Sequence, residues 1–264
     1  MSEQLSDVEV FKRYMDATSL HQKIRFVGVR SEKILGDFSA RTLQSTLKGR
    51  TFESTRRHGK NLFAGLDGGG WMLMQFGMTG RLAYFKDLDE EPLHSRLLFA
   101  FENDNRLAYV CQRMFGKVEL VEGPKEFVRE KELGPDALDL DSDSFRERLK
   151  GTRGWVKATL MNQKILAGIG NVYSDEILFQ AYLHPRASVA HLDGSTLEEL
   201  HKEIRRVLET AIKREANPHK LPGSFLLSHR REGERCPRGN GKIWKIEAAG
   251  RTASYCPACQ SKAR

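Results

Sequence analysis

Three of the four cysteines have the type and spacing of metal ligands. Cys236, Cys256 and Cys259 lie together in the last part of the sequence, whereas Cys111 stands alone. Clustered thiols in a chain without a secretory pattern bind metal more often than they form disulfides. The spacing therefore predicts a metal-binding element at this end of the chain.

A second group of residues has the pattern of an anion site. In LMNQKILAGIGNVYSDEILFQAYLHP, Gly168 and Gly170 permit a tight turn between two helical runs, and Asn171 falls where the second run begins. Backbone N–H groups and the positive end of a helix dipole attract an anion at such a position. The same pattern also describes an ordinary corner between two helices, so on its own it leaves both interpretations open.

The composition indicates the class of partner. Lysine and arginine number 43 against 35 aspartates and glutamates, which gives a formal net charge of +8. A basic balance of this size favours a polyanion such as nucleic acid. No run reaches the ~18 apolar residues that cross a bilayer, and the first residues lack the pattern of a signal peptide. We therefore expect a soluble, intracellular protein that does not bind membranes.

The first half of the chain has the pattern of an antiparallel sheet. Between Asn61 and Leu120, short apolar segments are separated by turn residues, among them 67–70 and 103–105. Such spacing predicts a β-sandwich or barrel. A helix from about Asp7 to Met15 precedes it, with apolar residues at helical spacing.

The second half has the pattern of helices. Capping-box patterns begin at Ser144 and Ser195, and each precedes a helical run. The second run carries an apolar stripe that we assign to the core, formed by Leu197, Leu200, Ile204, Val207, Leu208, Ala211 and Ile212. We expect a helical domain from about Asp136 to Leu221. The remaining tail is too short for a core of its own, so we predict a hairpin held by something else, such as a metal.

Four stretches carry a resemblance to a known family. The segment Lys157–Pro185 resembles the helix–two-turns–helix element of the formamidopyrimidine-DNA glycosylase and endonuclease VIII family. RRHGKNLFAGLDGG, QFGMTGRL and CQRMFGKVEL resemble stretches of its sheet domain, and REGERCPRGNGKIWKIEAAGRTASYCPACQ resembles its C-terminal zinc finger. The matches run in the family's order from about Val8 to Gln260.

The resemblance implies an α+β fold in three parts. We expect an N-terminal helix with an antiparallel β-sandwich in residues 1–130, a helix–two-turns–helix domain in residues 131–222, and a zinc-finger-like β-hairpin in residues 223–264. It also implies that DNA lies in a basic cleft between the first two.

The resemblance assigns roles to six residues that contact DNA. Lys60, Asn171 and Arg251 match the family's phosphate contacts, which bind the backbone without reading bases. Three further residues match those that fill the space left by an extruded nucleotide, since Met and Phe side chains wedge between unstacked bases and Arg bonds the orphaned partner base. These residues are Met78, Arg113 and Phe115.

The N-terminus departs from the family pattern. The family's enzymes begin, after removal of Met, with Pro-Glu-Leu-Pro; the proline amine attacks C1′ of the damaged nucleotide and the glutamate transfers protons. This chain has Ser2-Glu3-Gln4-Leu5-Ser6-Asp7. Alignment through Leu5 places Glu3 at the proline position and Gln4 at the glutamate position, which removes the general acid.

A second alignment register contains one inserted residue. It places Ser2 at the proline position and keeps Glu3 as the glutamate. The primary α-amine of Ser2, with a pKa of about 8, would still form an imine with an abasic aldehyde. The sequence alone does not distinguish the two alignment registers.

Two further positions differ from the family. Gln75 replaces a histidine; its amide still hydrogen-bonds a phosphate or a core group, but it carries no charge. In the finger, Gly239 stands where a second cysteine of a Cys-x-x-Cys pair is expected. Structural zinc takes four ligands, so either His229 or a water completes a Zn²⁺ site with the three cysteines, or the hairpin is metal-free and held by packing.

The sequence supports three functional hypotheses. The first is a monomeric glycosylase and abasic-site lyase of base-excision repair, with weakened or altered activity, that binds lesion-bearing or abasic duplex DNA in the cytoplasm, at the nucleoid. Lyase chemistry would then use Ser2 or a lysine such as Lys60. The second is a catalytically inactive protein that binds distorted DNA or structured RNA. The third is a protein-interaction module, against which the charge and the phosphate contacts argue. The lesion depends on the loop around Asn217–Phe225 and is not specified by the sequence.

Overall fold

The chain forms two compact units. The computed structural model describes residues 4–239 and 241–260. Of these, residues 7–131 belong to the first unit, and residues 4–6 together with 132–260 belong to the second. Helix α1 (Leu5–Thr18) therefore begins in the second unit and continues in the first. It extends beyond the predicted helix at both ends.

The first unit is built from two antiparallel four-stranded sheets and two more helices. Its strands are β1 (Ile24–Val29), β2 (Phe52–His58), β3 (Asn61–Leu66), β4 (Trp71–Gln75), β5 (Gly80–Phe85), β6 (Ser95–Phe101), β7 (Arg106–Cys111) and β8 (Lys117–Val121). One sheet has the order β1-β6-β7-β5 and the other β2-β3-β4-β8. The helices are α2 (Ala40–Leu47) and α3 (Pro124–Glu130), and two single 3-10 turns cover Glu32–Ile34 and Leu88–Glu90.

Alternating side chains bring the two sheets together around one core. Leu62 and Ala64 of β3 point into this core with apolar residues of both sheets. Phe63, between them, faces the opposite side and contacts Phe127 of α3, with ring centroids 5.6 Å apart. Both faces of β3 are therefore buried. The predicted turns at 67–70 and 103–105 join β3 to β4 and β6 to β7, so the predicted sandwich is confirmed.

The second unit is helical and ends in a hairpin. Its helices are α4 (Ser142–Leu149), α5 (Val156–Met161), α6 (Asn171–Gln180) and α7 (Gly194–Lys213), and its antiparallel hairpin is β9 (Trp244–Ala248) with β10 (Arg251–Tyr255). Short 3-10 turns cover Val189–His191, Pro218–Lys220 and Leu226–His229. This arrangement confirms the predicted α+β fold class. None of the helices within the described ranges is long and apolar enough to cross a membrane.

The apolar stripe of α7 lies in the core of the second unit, as its period predicts. The predicted N-caps of two helices were wrong. Asp141 caps α4 by accepting the Ser144 N–H at 2.7 Å, and Asp193 caps α7 by accepting the Thr196 N–H at 2.7 Å. In each case an aspartate before the serine is the acceptor, because a carboxylate accepts more strongly than a hydroxyl and favours the positive end of the helix.

Candidate nucleic-acid interface

The start of the described chain is fixed on the turn before α6. The Leu5 N–H donates to the Gly168 carbonyl at 3.0 Å, and the Gly170 N–H donates to Oε1 of Gln4 at 2.7 Å. Gln4 is only 1% exposed. Ser2 and Glu3, the other two N-terminal candidates, lie outside the described residues. Of the predicted catalytic N-terminus, the structure therefore describes Gln4, buried on the turn.

Both glycines of the turn are needed for this close approach. Gly168 has a φ of +117°, and a Cβ there would lie 2.5 Å from Cδ1 of Leu5. A Cβ on Gly170 would lie 2.5 Å from the Gln4 amide nitrogen. A side chain at either position would displace the first residues of the described chain. The glycine pair thus fixes both the turn and the path of Gln4 and Leu5.

Asn171 connects the beginning of α6 to the hairpin. Its Nδ2 donates to the carbonyl of Thr252 at 3.2 Å, while its Oδ1 is buried without a hydrogen-bond partner in the part of the chain that the structure describes. Thr252 follows Arg251, which is exposed at the start of β10 and pairs with Ala248. Two predicted phosphate-binding residues, Asn171 and Arg251, are therefore close in the fold although 80 positions apart.

A basic surface cavity of about 480 Å³ lies beside Asn171. Three cationic side chains contribute to its lining, none of which was predicted as a site residue. They are Arg230, Arg231 and Lys245. Thr252 and Ser254 of β10 also line it. Cations around a helix N-terminus favour an anionic ligand. The run HRRE was the available sequence signal, but its position in the fold could not be derived.

A buried charge network holds α6 against β10. Lys157 and Asp175 are fully buried and form an ion pair, and the Lys157 ammonium also donates to the Asn171 carbonyl at 3.2 Å and to Oγ of Ser174 at 3.1 Å. The other carboxylate oxygen of Asp175 accepts from Arg230 and, at 3.1 Å, from the Ser254 N–H. Burial lowers the pKa of Lys157, and the charge of Asp175 opposes this shift. The network positions Asn171 relative to the hairpin.

In the first unit, Gln75 supports the turn that carries Lys60. Lys60 follows β2 in the tight turn before Asn61. The Gln75 amide donates to Oδ1 of Asn61 at 2.8 Å, and the Asn61 amide donates to the His58 carbonyl at 3.0 Å. Of the two predicted partners, a phosphate or a core group, the structure shows Gln75 bonded to the buried side chain of Asn61.

The structure brings Met78, Arg113 and Phe115 together on two adjoining loops. The Arg113 N–H donates to Oγ1 of Thr79 at 3.0 Å, and the Arg113 guanidinium lies 5.1 Å from the Phe115 ring centroid. Gly77 has a φ of +62°, and a Cβ there would lie 2.7 Å from the Phe115 backbone. Met78 is 39% exposed and Phe115 59% exposed. Large apolar side chains that point outward beside a cation suit insertion between bases.

Three thiols of the hairpin region form a cluster. The ligand atoms of Cys236, Cys256 and Cys259 lie within 4.8 Å of one another. Zn–S bonds of ~2.3 Å place the sulfurs of a tetrahedral site about 3.8 Å apart, so the three thiols fit three of its four corners. His229 is not in this group, and its ring nitrogen Nδ1 lies 3.2 Å from a Glu234 carboxylate oxygen. The suggestion of His229 as the fourth ligand is therefore not supported.

The cysteine-bearing loop is also held by interactions that involve no thiol. The Arg238 guanidinium donates to the Phe179 carbonyl at 2.7 Å and lies between the Phe179 and Tyr182 rings, 4.2 Å and 3.8 Å from their centroids. Gln260 is buried, accepts from the Cys256 N–H at 2.8 Å and donates to the Leu183 carbonyl at 2.8 Å. Packing and hydrogen bonds thus attach the finger to the end of α6.

The loop around residues 217–225 contains an ordinary turn. The Phe225 N–H donates to the Pro222 carbonyl at 2.9 Å. The Phe225 ring is buried in the core of the second unit. The ring therefore packs inside this unit and does not face solvent.

A β-sandwich followed by this helix–turn–helix element and a hairpin finger defines the class of helix–two-turns–helix proteins. Comparison with known proteins gives the family. Residues 1–118 match the family model "Formamidopyrimidine-DNA glycosylase N-terminal domain", and residues 133–221 match "Formamidopyrimidine-DNA glycosylase H2TH domain". The chain belongs to the formamidopyrimidine-DNA glycosylase family.

Similar proteins cover nearly the whole chain. A formamidopyrimidine-DNA glycosylase of Arabidopsis thaliana is 33% identical over 97% of this chain and 70% of its own length. That of Carboxydothermus hydrogenoformans is 32% identical over 97% of this chain and 99% of its own. A solved structure of Lactococcus lactis Fpg in complex with DNA containing an abasic site is similar, with a TM-score of 0.88 and 28% identity over 98% of this chain and 100% of that one.

Proposed function

We propose that this protein binds duplex DNA that contains a damaged or abasic nucleotide, as a base-excision repair protein of the glycosylase and abasic-site lyase type with weakened or altered activity. The observation that carries the proposal is the exposed group of Met78, Arg113 and Phe115. Side chains of this kind replace the stacking and hydrogen bonds that an extruded nucleotide leaves behind. The solved relatives with lesion-containing or abasic DNA support the same substrate class.

Backbone binding is assigned to residues of both units. Lys60, Asn171 and Arg251 contact phosphates, and the cations of the cavity beside Asn171 extend the basic surface. Gln75 acts by holding Asn61 next to Lys60. Because phosphate contacts release counterions, binding weakens steeply as salt rises. This salt dependence separates the proposal from a protein-interaction module.

The altered activity follows from the position of Gln4. The bonds from Leu5 and Gln4 to the turn at 168–170 favour the register without an insertion, in which Gln4 stands at the family's glutamate position. An inserted residue would be expected outside such a packed contact, whereas Gln4 is buried. An amide accepts a hydrogen bond but does not exchange a proton as a carboxylic acid does. Excision of a base by the family's acid-assisted route is therefore weakened.

Cleavage at an abasic site depends on an amine nucleophile rather than on acid-assisted departure of a base. The amine of Ser2 or of Lys60 would attack the C1′ aldehyde of an abasic site, water would leave, and the resulting imine would promote elimination of the 3′ phosphate. The competing proposal is a catalytically inactive binder of distorted DNA or structured RNA, which the Gln4 side chain also favours. The two differ in whether an imine forms.

The remaining parts of the proposal follow from this substrate. We propose a monomer with the three-part division at 1–130, 131–222 and 223–264, in which the last part contains structural Zn²⁺ at Cys236, Cys256 and Cys259. Because the proposed substrate is damaged or abasic duplex DNA, we place the site of action in the cytoplasm, at the nucleoid.

Borohydride trapping tests the imine. The purified chain is incubated with duplex DNA that contains one abasic site, reduced, and analysed by mass spectrometry of the cross-linked peptide. A cross-link at Ser2 or Lys60 supports a lyase, with Lys60→Ala as the control for the second. No cross-link despite tight, salt-sensitive binding would support the inactive binder instead.

A restored N-terminus tests the assignment of Gln4. One variant combines deletion of Ser2 with Glu3→Pro and Gln4→Glu; its matched control has the first two changes and retains Gln4. If Gln4 replaces the acid, both variants should trap on abasic DNA, but the first alone should gain base excision. Equal excision by the two would contradict the role assigned to position 4.

A further inference from the structure

We infer that the zinc site at Cys236, Cys256 and Cys259 has its fourth coordination position open to an exchangeable ligand from solvent, such as water or a small thiol. The sulfurs provide three corners of the tetrahedron. Cys236 Sγ and Cys259 Sγ lie 3.6 Å apart, close to the ~3.8 Å that ~2.3 Å Zn–S bonds impose.

The thiol cluster has three members among the described residues. Among the described His, Cys, Asp and Glu side chains, the group around these sulfurs consists of the three cysteines. Gly239 stands where the second cysteine of the Cys-x-x-Cys pair is expected, and it has no side chain that could bind a metal. A Cβ built on Gly239 meets no atom within 4 Å, so the space beside this loop is open.

Solvent can reach the cluster. Cys236 and Cys256 are buried, whereas Cys259 is partly exposed. Solvent therefore approaches the cluster from the side of Cys259. A metal with three protein ligands retains a position for water or another small ligand, as zinc does in catalytic sites. The consequence here is a metal that exchanges more readily than in a four-cysteine finger.

The finger does not depend on that metal alone for its attachment. Arg238 and Gln260 attach the loop and the end of the hairpin to the helical unit through carbonyl acceptors and ring contacts. Release of the ion would therefore lower the order of the thiols first and leave the finger attached. Zinc occupancy can then vary with the supply of zinc and competing thiols.

Cobalt substitution tests the open position. The full chain is loaded with Co²⁺, and its visible d–d absorption is followed during titration with imidazole or mercaptoethanol. We expect the bands to shift in the wild-type chain and to stay fixed in Gly239→Cys. Gly239→Ala is the matched control, because position 239 has a φ of +78° and both variants carry the same backbone strain; its bands should shift like those of the wild type. Cys111→Ser should also behave like the wild type.

Zinc release provides a second readout. In competition with a chromophoric chelator, the wild-type chain should lose zinc at a chelator concentration at least about tenfold lower than Gly239→Cys, equal to ~1.4 kcal/mol of binding free energy. This inference rests on the zinc part of the proposed function. A chain that binds no cobalt refutes both, and cobalt bands insensitive to added ligands refute the open position alone. DNA binding is measured separately and is not affected by either result.

Discussion

Asp175→Asn tests the buried network that connects α6 with the hairpin. The change leaves the Lys157 ammonium without a counter-charge at a site where neither side chain is exposed. Removing one partner of a buried ion pair costs about 3–5 kcal/mol, because the other charge remains desolvated. The pKa of Lys157, already lowered by burial, should fall further once the opposing charge is gone.

The expected loss is measurable as a shift in melting temperature. At ~2–4 °C per kcal/mol for a chain of this size, ~3–5 kcal/mol lowers the unfolding midpoint by about 6–20 °C in a circular dichroism melt. The control is Glu199→Gln, which breaks the exposed pair between Lys202 and Glu199 and should cost less than ~1 kcal/mol.

A second variant separates charge from packing. Lys157→Met in the Asp175→Asn background removes the unpaired ammonium, so part of the lost stability should return. Arg230 is less affected, since its side chain is partly exposed. A melting temperature unchanged by Asp175→Asn, or a double variant no more stable than the single one, would refute the argument that a buried charge pair holds this element.

Four further results are expected. Burial raises the pKa of Glu176 from 4.5 to about 7, so the folded state holds the proton more tightly than the unfolded state. The free energy of unfolding should therefore fall by up to about 3 kcal/mol as pH rises from 4.5 to 7. Glu176→Gln should flatten this dependence on pH in denaturant titrations at several pH values. Asn171→Ala and Arg251→Ala should each weaken DNA binding. Arg251→Ala should also reduce the slope of log affinity against log salt by about 1, whereas the uncharged Asn171 should leave that slope unchanged. Unchanged affinity in both variants would exclude the assigned phosphate contacts. Phe115→Ala should weaken binding to lesion-bearing duplex more than to undamaged duplex, and equal losses would mean that no nucleotide is extruded. Arg238→Ala should increase amide hydrogen exchange in the hairpin with or without chelator. Arg238→Lys should restore little of the lost protection, because an ammonium lacks the planar fork that bonds the carbonyls and stacks on the rings. Protection equal to that of the wild type in Arg238→Ala would contradict the role of Arg238.

Periodic features of the fold were predictable from sequence because they depend on local spacing. The stripe on α7 and the turns at 67–70 and 103–105 follow from the repeat of helix and strand and from turn residues. The N-caps were missed for a local reason as well. The pattern beginning at Ser144 resembles a capping box, but Asp141 lies one turn earlier and is the stronger acceptor.

Contacts between distant residues were not predictable in the same way. Asp175 and Arg230 are 55 positions apart, and Gln4 and Gly170 are 166 positions apart. No repeat in the sequence links such pairs; only the packed fold brings them together. The exposure of Phe115 also differs from the usual preference of phenylalanine for burial. Only the resemblance to the family indicated an outward position.

Under the proposed assignment of Gln4, its contact with Gly170 separates the anchoring of the N-terminus from proton transfer. A side-chain oxygen that accepts the Gly170 N–H anchors the N-terminus on the turn before α6, and an amide does this as well as a carboxylate. Proton transfer needs an ionisable group, which the amide lacks. At the proposed glutamate position, Gln4 makes the hydrogen bond that fixes the chain but supplies no acid. Because a Cβ at Gly168 or Gly170 would clash with Leu5 or Gln4, the proposal keeps the geometry of the turn without its acid–base chemistry. The same proposal leaves the exposed group of Met78, Arg113 and Phe115 to engage a lesion.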